Sequence, residues 1–340
     1  MGSNAIITLL GLLIFFAVVS TNLNRADRTS KEATIGYVKY ATARDIAHSA
    51  VNLALRAIDN GETLPISGSL DGGAYDVSGY LVDSLVYLTS NSQFCESTYT
   101  IKATLLRYPK PFPGVGAAVG LHIDSVGFQM KGTPLIDGHN YDSSGTYKVG
   151  TGDVPGVATL LPVDSATVAA DGTKIDGSSD VTVDPLLADP ALFVNEYIAM
   201  ADYRFNAVLG QPQTVFAGNQ VWGTAVSPKI TFVNAGDSTN LVKFTGTVEG
   251  WGVLVVKGNV KWNGTFTFHG LVVVHSNTVL DFDGLAAGTP KIIGSLLMGG
   301  PPHSEFEMRG TSRVLYSSDA LDDAKYIGKL LAYHILDWYE

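Results

Sequence analysis

The sequence predicts an α+β protein. A long N-terminal α-helix precedes a small β-sheet region and a larger β-rich, solenoid-like domain with a C-terminal helix. Three observations lead to this prediction: a long N-terminal stretch without a helix breaker, two short stretches in which apolar and polar residues alternate, and glycines that recur every six residues near the C-terminus. The predicted divisions are residues 1–61, 62–113 and 114–340.

Composition and charge exclude several classes of protein. The chain has 340 residues, of which 46% are hydrophobic and 16% are charged, so it can bury a substantial core and is not a largely disordered polypeptide. The formal net charge is −10 and no dense cluster of Lys or Arg occurs, which argues against binding to nucleic acid. Cys95 is the single cysteine, so neither an intrachain disulfide nor a thiolate zinc cluster can form.

The N-terminal stretch 5–19 is apolar apart from Thr8 and Gly11. No Lys or Arg precedes it, so the positively charged start of a secretory signal peptide is missing. The stretch is also shorter than the roughly 20 apolar residues that span a bilayer comfortably. One interpretation is a single membrane anchor. The other is a helix, apolar on all sides, that lies in lipid at one stage and in a protein core at another.

The helix is predicted to continue well beyond this apolar stretch. No helix breaker occurs before Asn60-Gly61, and Pro65 follows soon after, which is a good stop signal. A single helix over residues 4–60 would be about 85 Å long, which is more than one domain of this size can cover. Residues 33–59 are amphipathic. The face predicted to pack against the rest of the chain consists of Val38, Ile46, Ala50, Val51, Ala54 and Ile58.

The N-terminal residues also resemble a known family. An apolar segment, a polar segment over residues 21–32 and an amphipathic segment follow one another as in the first helix of type IV pilins. The sequence RDIAHSAVNLALRAI, from Arg44 to Ile58, resembles the matching stretch of minor pilins and of large, atypical minor-pilin-like subunits of the PilX type. The chain departs from the pilin pattern at Ala5, where pilins usually carry a glutamate, and it has no pair of C-terminal cysteines.

The resemblance implies a function and a location. It implies a structural subunit of an extracellular, cell-surface, bacterial pilus-like filament that polymerises through N-terminal helices packed in the filament core. It also implies three kinds of partner: further copies of the chain, the inner membrane before assembly, and other pilin-like subunits. The residues expected in this polymerisation core are Ile6, Leu9, Leu10, Leu13, Phe16 and Val19.

An alternative function stays open at this point. The chain is then a membrane-anchored or filament-tip adhesin whose β domain binds a surface glycan or a protein. The segment from Asn22 to Glu32 bears on the choice, because its mixed charges suit pairing between helices in a bundle better than a solitary stalk.

Residues 62–113 are predicted to form a small antiparallel sheet. Apolar residues alternate with polar ones from Tyr75 to Leu81 and again from Tyr99 to Leu105, and loops at Asp71-Gly72-Gly73 and Ser90-Asn91-Ser92 are expected to bound these strands. The proline-rich stretch 108–113 is predicted to be extended and to mark a domain boundary.

The glycine pattern lies between residues 246 and 300. Glycines at 246, 252, 258, 264 and 270, and then at 288, 294 and 300, fall on one step of six. Even-numbered positions between them are mostly apolar and odd-numbered ones polar, so one face is predicted to be core and the other to meet solvent or a neighbour. Short repeated strands favour a solenoid-like or β-helix stack, and an antiparallel meander is the alternative.

Two further helices are predicted in this larger domain. One begins at Asp189-Pro190 and runs to Asn206, because Asp is a good N-cap and Pro a good first residue. The other is an amphipathic C-terminal helix over residues 320–338. The stretch from Gly246 to Leu321 also resembles the glycine-repeat region of large minor-pilin-like proteins.

No catalytic motif is evident, so we expect neither an enzyme nor a cofactor. A polysaccharide lyase on a β-helix and a pair of distant glycosidase carboxylates are the alternatives. No metal site is predicted, because His269 and His275 lack an evident third ligand for zinc. Asp-rich turns that meet no calcium-binding motif are expected to be polar turns rather than calcium ligands. The residues of these turns are Asp137, Asn140, Asp142, Asp176 and Asp180.

Overall fold

The computed structural model describes residues 2–60, 62–170, 174–235, 241–277, 281–285 and 287–339. The chain forms two compact units. The first consists of Met1–Tyr108 together with Ala332–Glu340, and the second of Pro109–Leu331. The C-terminal residues therefore belong to the first unit, whereas the sequence prediction placed all of 114–340 in one domain.

The first unit contains one long helix and one five-stranded sheet. Helix α1 (Gly2–Asp59) has 58 residues, or a length of about 87 Å. The sheet order is β1-β2-β3-β4-β23, and the three pairs from β1 to β4 are antiparallel hairpins. Its strands are β1 (Ile66–Leu70), β2 (Gly73–Val82), β3 (Leu85–Phe94), β4 (Ser97–Pro109) and β23 (Leu331–Tyr339).

Two predicted features are corrected by the structure, and the second includes residues of both units. Ser90–Ser92 is not a loop, because it lies inside β3 and pairs with both neighbouring strands. The predicted helix over 320–338 is much shorter: helix α4 covers only Ser318–Lys325, a 3-10 turn follows at Gly328–Leu330, and the rest is β23. The last residues become a strand because the edge of β4 offers them a partner, which outweighs their helical pattern.

The second unit is built mainly of short strands. Its other helices are α2 (Pro162–Ala170) and α3 (Pro190–Met200). The strands before α3 are β5 (Val119–His122), β6 (Gly127–Gly132), β7 (Leu135–Asp137), β8 (Val157–Thr159), β9 (Ile175–Asp176) and β10 (Val181–Val183). Those after it are β11 (Tyr203–Asn206), β12 (Gln213–Ala217), β13 (Gln220–Trp222), β14 (Lys229–Asn234), β15 (Leu241–Thr245), β16 (Thr247–Lys257), β17 (Val260–His275), β18 (Asp281–Leu285), β19 (Ala287–Gly288), β20 (Lys291–Gly299), β21 (Glu305–Gly310) and β22 (Arg313–Tyr316).

These strands pair in parallel. The main sheet has the order β10-β8-β5-β20-β17-β16-β14-β11, and each of its pairs is parallel. An antiparallel meander is therefore wrong for these strands. We call the set from β5 to β22 the parallel stack.

The chain enters the parallel stack in its middle. It first runs outward through β8 to β10, at one end of the main sheet. After α3 it resumes at β11, which is the opposite end, and then returns strand by strand. The return ends with β22 paired to β7, beside the strands where the chain entered.

The six-residue glycine pattern has a structural cause. Gly252 pairs with Gly270, eighteen residues or three steps further along, and Gly270 pairs with Gly294. A Cβ on Gly270 would lie 2.0 Å from the carbonyl oxygen of Gly252, and one on Gly294 would lie 2.0 Å from that of Gly270. Their φ angles of 114°, 124° and 136° are in the region that side chains rarely adopt. Glycine is required because successive backbones touch at this point.

Both faces of the main sheet are buried along the apolar runs 252–256 and 270–274. On one face Trp262, Phe266 and Phe268 are among the largest fully buried side chains. On the other face Val253 and Leu271 are fully buried, in a cluster that includes residues of α3 and α4. The expectation of one solvent-facing side is therefore wrong for these runs, which are typical of a parallel sheet covered on both sides. It agrees with the preceding residues of β16 and β17, where Thr247, Glu249 and Thr265 are exposed.

Helix α3 begins as predicted and ends early. Asp189 is its N-cap, and its side chain accepts a hydrogen bond from the backbone N–H of Ala191 at 2.9 Å. The helix stops at Met200 rather than Asn206 because residues 203–206 pair with β14 instead.

Replacing Gly270 by Ala is expected to destabilise the second unit by about 3 kcal/mol or more, because the new methyl group meets a backbone carbonyl that cannot move aside. Gly114→Ala is the control, since no atom lies within 4 Å of its Cβ position. Urea unfolding of the full chain, followed by tryptophan fluorescence, measures both. Equal stability of the two variants would contradict the account of the glycine pattern.

Candidate functional site on the N-terminal helix

The C-terminal part of α1 packs against the sheet of the first unit. Ala43, Ala47 and Ala50 are at most 1% exposed, and a Cβ on Gly73 of β2 would lie 2.5 Å from Cδ1 of Ile46. Small side chains on the helix and a glycine on the strand let the two backbones approach closely. We call residues 43–59 the anchored part of α1.

Only part of the predicted packing face of α1 contacts the sheet. Ile46, Ala50, Val51 and Ala54 are buried, and Ile58 is half-buried beside them. Val38 does not join this face: its side chain is 54% exposed. The helix leaves the sheet before that position, near Tyr40, whose ring meets the ring of Tyr99 edge-on at 5.2 Å.

Two serines that the sequence prediction assigned to a loop join the helix to the sheet. Ser90 Oγ donates a hydrogen bond to the carbonyl of Ala47 at 3.0 Å, and Ser92 Oγ donates one to the carbonyl of Ala43 at 2.5 Å. Both serines are buried. Their spacing held a signal, because Val86, Leu88, Ser90 and Ser92 alternate as one face of a strand. A buried hydroxyl needs a partner, and the helix carbonyls supply it.

The last strand also contributes to holding the anchored part. The ring of Trp338 in β23 stacks on His48 of α1, with centroids 5.0 Å apart and planes 9° apart. The C-terminal strand therefore contacts the helix as well as extending the sheet.

The N-terminal part of α1 has no such cover. Ile6, Leu9, Leu10, Leu13 and Phe16 are all about 60–70% exposed, and Val19 is half-buried. A stretch of the helix has a mean hydropathy of 2.3, enough to cross a membrane, and none of it is buried within the protein. We call residues 6–38 the projecting part of α1. It is about 50 Å long.

The middle of the projecting part is charged, and its charges pair along the same helix. Lys31 Nζ lies 2.7 Å from an Asp27 oxygen, and Arg28 Nε lies 2.8 Å from a Glu32 oxygen. Such exposed i, i+4 pairs contribute only about 0.3–0.5 kcal/mol each. They do reduce the charge that a neighbouring helix would meet.

Apolar side chains are exposed again beyond the charges. Ile35 is 55% exposed and Tyr37 is 72% exposed, in addition to Val38. The uncovered apolar surface therefore has two patches, one at residues 6–19 and one at residues 35–38. The charged segment, residues 27–32, lies between them.

In the second unit, three side chains offer ligand atoms within 4.8 Å of one another: Asp137, His139 and Asp176. Asp137 is buried, and its oxygens accept hydrogen bonds from Tyr141 Oη at 2.7 Å and from the backbone N–H of His139 at 2.9 Å. Lys148 Nζ lies 3.1 Å from the same carboxylate. Burial alone would raise the pKa of Asp137, but these hydrogen bonds outweigh it and lower the pKa. The contacts hold the loop after β7 and account for the burial of the carboxylate.

The other polar residues singled out in the sequence have separate structural partners. Asp142 accepts hydrogen bonds from the backbone N–H groups of Thr146 and Tyr147, and Asn140 bonds to Ser318. His269 Nδ1 lies 2.7 Å from the carbonyl oxygen of Ser143, and burial lowers the pKa of His269. His275 Nε2 lies 3.1 Å from the Asn277 oxygen, so the two histidines do not share a partner.

Comparisons with known proteins include a weak structural likeness. No family model matches the chain, and no curated protein matches it. Among solved structures it is similar to the competence-associated pilin ComZ from Thermus thermophilus, with 11% identity over 89% of this chain and 97% of that one. The TM-score is 0.25, which does not establish a shared fold.

Replacing Ala50 by Leu is expected to destabilise the first unit by about 1–3 kcal/mol, because the space between helix and sheet has no room for a larger side chain. Val38→Leu is the matched control, since it places the same residue on the exposed part of the same helix. Hydrogen exchange at the amides of β3 measures the effect. Equal exchange rates in the two variants would show that the anchored part is wrongly placed.

Proposed function

We propose that the protein is a structural subunit of an extracellular, bacterial pilus-like filament, and that the projecting part of α1 packs with the same part of other copies in the filament core. The observation that supports this is the length and exposure of the projecting part. An apolar helix surface of this extent is not stable in water, so lipid or protein has to cover it.

Lipid alone leaves much of it uncovered. The hydrocarbon core of a bilayer is about 30 Å thick, whereas the projecting part is about 50 Å long. Ile35, Tyr37 and Val38 lie beyond the charged segment, where a bilayer that holds residues 6–19 does not reach. Neighbouring helices would cover both apolar patches at once.

The proposal includes two states of the same surface. Before assembly residues 6–19 lie in a membrane, and after assembly they lie against the helices of other copies or of other pilin-like subunits. Side chains such as Leu9, Leu13 and Phe16 suit both environments, because they are apolar on every side of the helix.

The parallel stack also has a proposed role. We propose that its strands form successive coils of a solenoid, which displays a large surface outside the filament core. Asp137 and His139 form a carboxylate–histidine pair of the kind found in enzyme active sites. Here the pair holds the loop after β7 in place, which favours a structural over a catalytic role.

The alternative is a membrane-anchored or tip-located adhesin that uses α1 only as an anchor. It explains the apolar patch at residues 6–19 but gives no reason for the exposure of Ile35 and Tyr37. The second patch therefore favours the filament.

Replacing Leu10 by Arg is expected to abolish filaments, because an unpaired charge buried between packed helices costs several kcal/mol. Negative-stain microscopy of surface material sheared from cells measures this. Tryptophan fluorescence of the purified chain should stay unchanged, since Leu10 contacts neither compact core.

The matched control is Asn24→Arg, which adds the same charge where charges are already exposed. It should leave filaments intact. Normal filaments from the Leu10 variant would refute a core formed by the projecting part.

A further inference from the structure

Many exposed apolar side chains of the second unit lie at the two ends of the parallel stack, and others lie on loops and helices, at Tyr147, Val149, Leu192 and Tyr326. At the β11 end they are Val208, Leu209, Val215, Val221 and Val226, of which Leu209 and Val226 are 95% exposed. At the β10 end they are Leu161, Val163, Val183 and Leu186. The strands between the ends differ: over the part of 229–316 whose burial the structure describes, no large apolar side chain is exposed.

The β11 end also lacks the charges that normally protect a sheet edge. Exposed edge strands usually carry Lys or other charged residues that prevent pairing with another chain. Residues 203–226 contain a single charged residue, Arg204. Its guanidinium is already used within the chain, since Nη2 donates to the carbonyls of Ile198 and Ala199. This end therefore carries a single charge, which lies on β11 itself and is engaged within the chain.

The two ends match in direction and position. Among the described strands of the main sheet, β10 and β11 each have a neighbour on one side only, and all strands between them run parallel. Tyr203 can be followed through paired residues across the sheet to Val181, along the series Tyr203, Thr231, Leu254, Val272, Leu296, Val119, Val157 and Val181. A second copy shifted along the stack would thus place its β11 beside β10 in the register that the sheet already has.

We infer that the second unit carries a head-to-tail docking surface for another copy of this chain, in which β10 of one copy pairs in parallel with β11 of the next. Val181 then lies opposite Tyr203, and the exposed apolar side chains of both ends become covered. Because the two surfaces differ, the contact does not close on itself and adds copies in a row. It is distinct from the contact between α1 helices.

The direction of the strands decides against a symmetric contact. A two-fold axis would place β11 of one copy against β11 of the other in antiparallel orientation, which is opposite to every pair in the main sheet. Only a shift along the stack continues the parallel order.

Disulfide trapping tests the docking surface in the full-length chain. Each variant carries Cys95→Ser, because Cys95 is an exposed free thiol. Neighbouring strands lie about 4.8 Å apart, which is within the range of Cα separations that a disulfide bridges. The variants are Val181→Cys, Tyr203→Cys and the two together, oxidised at high concentration in detergent and separated on non-reducing gels.

The double variant is expected to give a ladder of dimers, trimers and longer products. An equal mixture of the two single variants should stop at dimers, and each single variant alone should stay monomeric. A variant with Tyr203→Cys and Thr231→Cys is the control for oxidation, because these positions are paired within one chain and should form an intrachain bond.

Two results would overturn the inference. A double variant that stays monomeric while the oxidation control forms its bond would show that the ends do not meet. Dimers from Tyr203→Cys alone would show a symmetric contact instead. The ladder should persist when Leu10→Arg is added, so failure of the helix-packing proposal is distinguishable from failure of this one.

Discussion

The constraint on which the rest of the structure depends is the length of α1 relative to the sheet that covers it. The sheet of the first unit reaches only from about Ala43 to Ile58, where small side chains and a strand glycine allow close contact. A sheet of this width is too short to cover a helix of 58 residues. The projecting part is left with an apolar surface whose cover has to come from outside the chain, either from lipid or from other copies.

The anchored part is held by polar as well as apolar contacts. Ser90 and Ser92 donate hydrogen bonds to helix carbonyls that already accept within the helix, and Trp338 stacks on His48 from the last strand. These contacts come from segments far apart in the chain. They fix the C-terminal end of the helix to the sheet.

The parallel stack is stabilised differently. Glycines such as Gly252, Gly270 and Gly294 lie on one another where a side chain would collide with the backbone of the preceding strand, and the apolar runs between them are buried on both faces. A parallel stack has two unlike ends. At each end of the main sheet, one edge of the last strand has no neighbouring strand among the described residues. Both units of this protein thus leave apolar surface uncovered, which suits a subunit of an assembly.

Much of the fold could be predicted from local pattern. The absence of helix breakers before Asn60 indicated the long helix, and the Asp189-Pro190 pair indicated the start of α3. The glycine spacing indicated a repeat but not its direction, because parallel and antiparallel strands share the same alternation. Pattern failed where a distant partner decides: Val38 continues the apolar stripe, yet the sheet does not extend to it.

The same reason explains the errors near the C-terminus and at the candidate site. Residues 331–339 have a helical pattern but become a strand beside β4, which lies more than 200 residues earlier in the chain. The two serines of β3 were predicted to lie in a loop because polar residues are common there. Their hydrogen-bond acceptors are carbonyls of α1, which the local sequence does not reveal. The structure leaves five of the six predicted polymerisation residues exposed along the projecting part and Val19 half-buried, and their role in assembly stays a prediction.

The most direct measurement is the water accessibility of position 37 before and after assembly. With Tyr37→Cys in a Cys95→Ser background, the rate of thiol labelling can be compared between chains dispersed in detergent and surface material sheared from cells. Ser78→Cys, at an exposed position of strand β2, serves as the reference in both samples. Packing of helices beyond the lipid-spanning segment predicts that labelling at position 37 slows at least tenfold on assembly while the reference rate is kept. Equal rates at position 37 in the two samples would contradict the account, since the second apolar patch would then be uncovered in the working state of the protein.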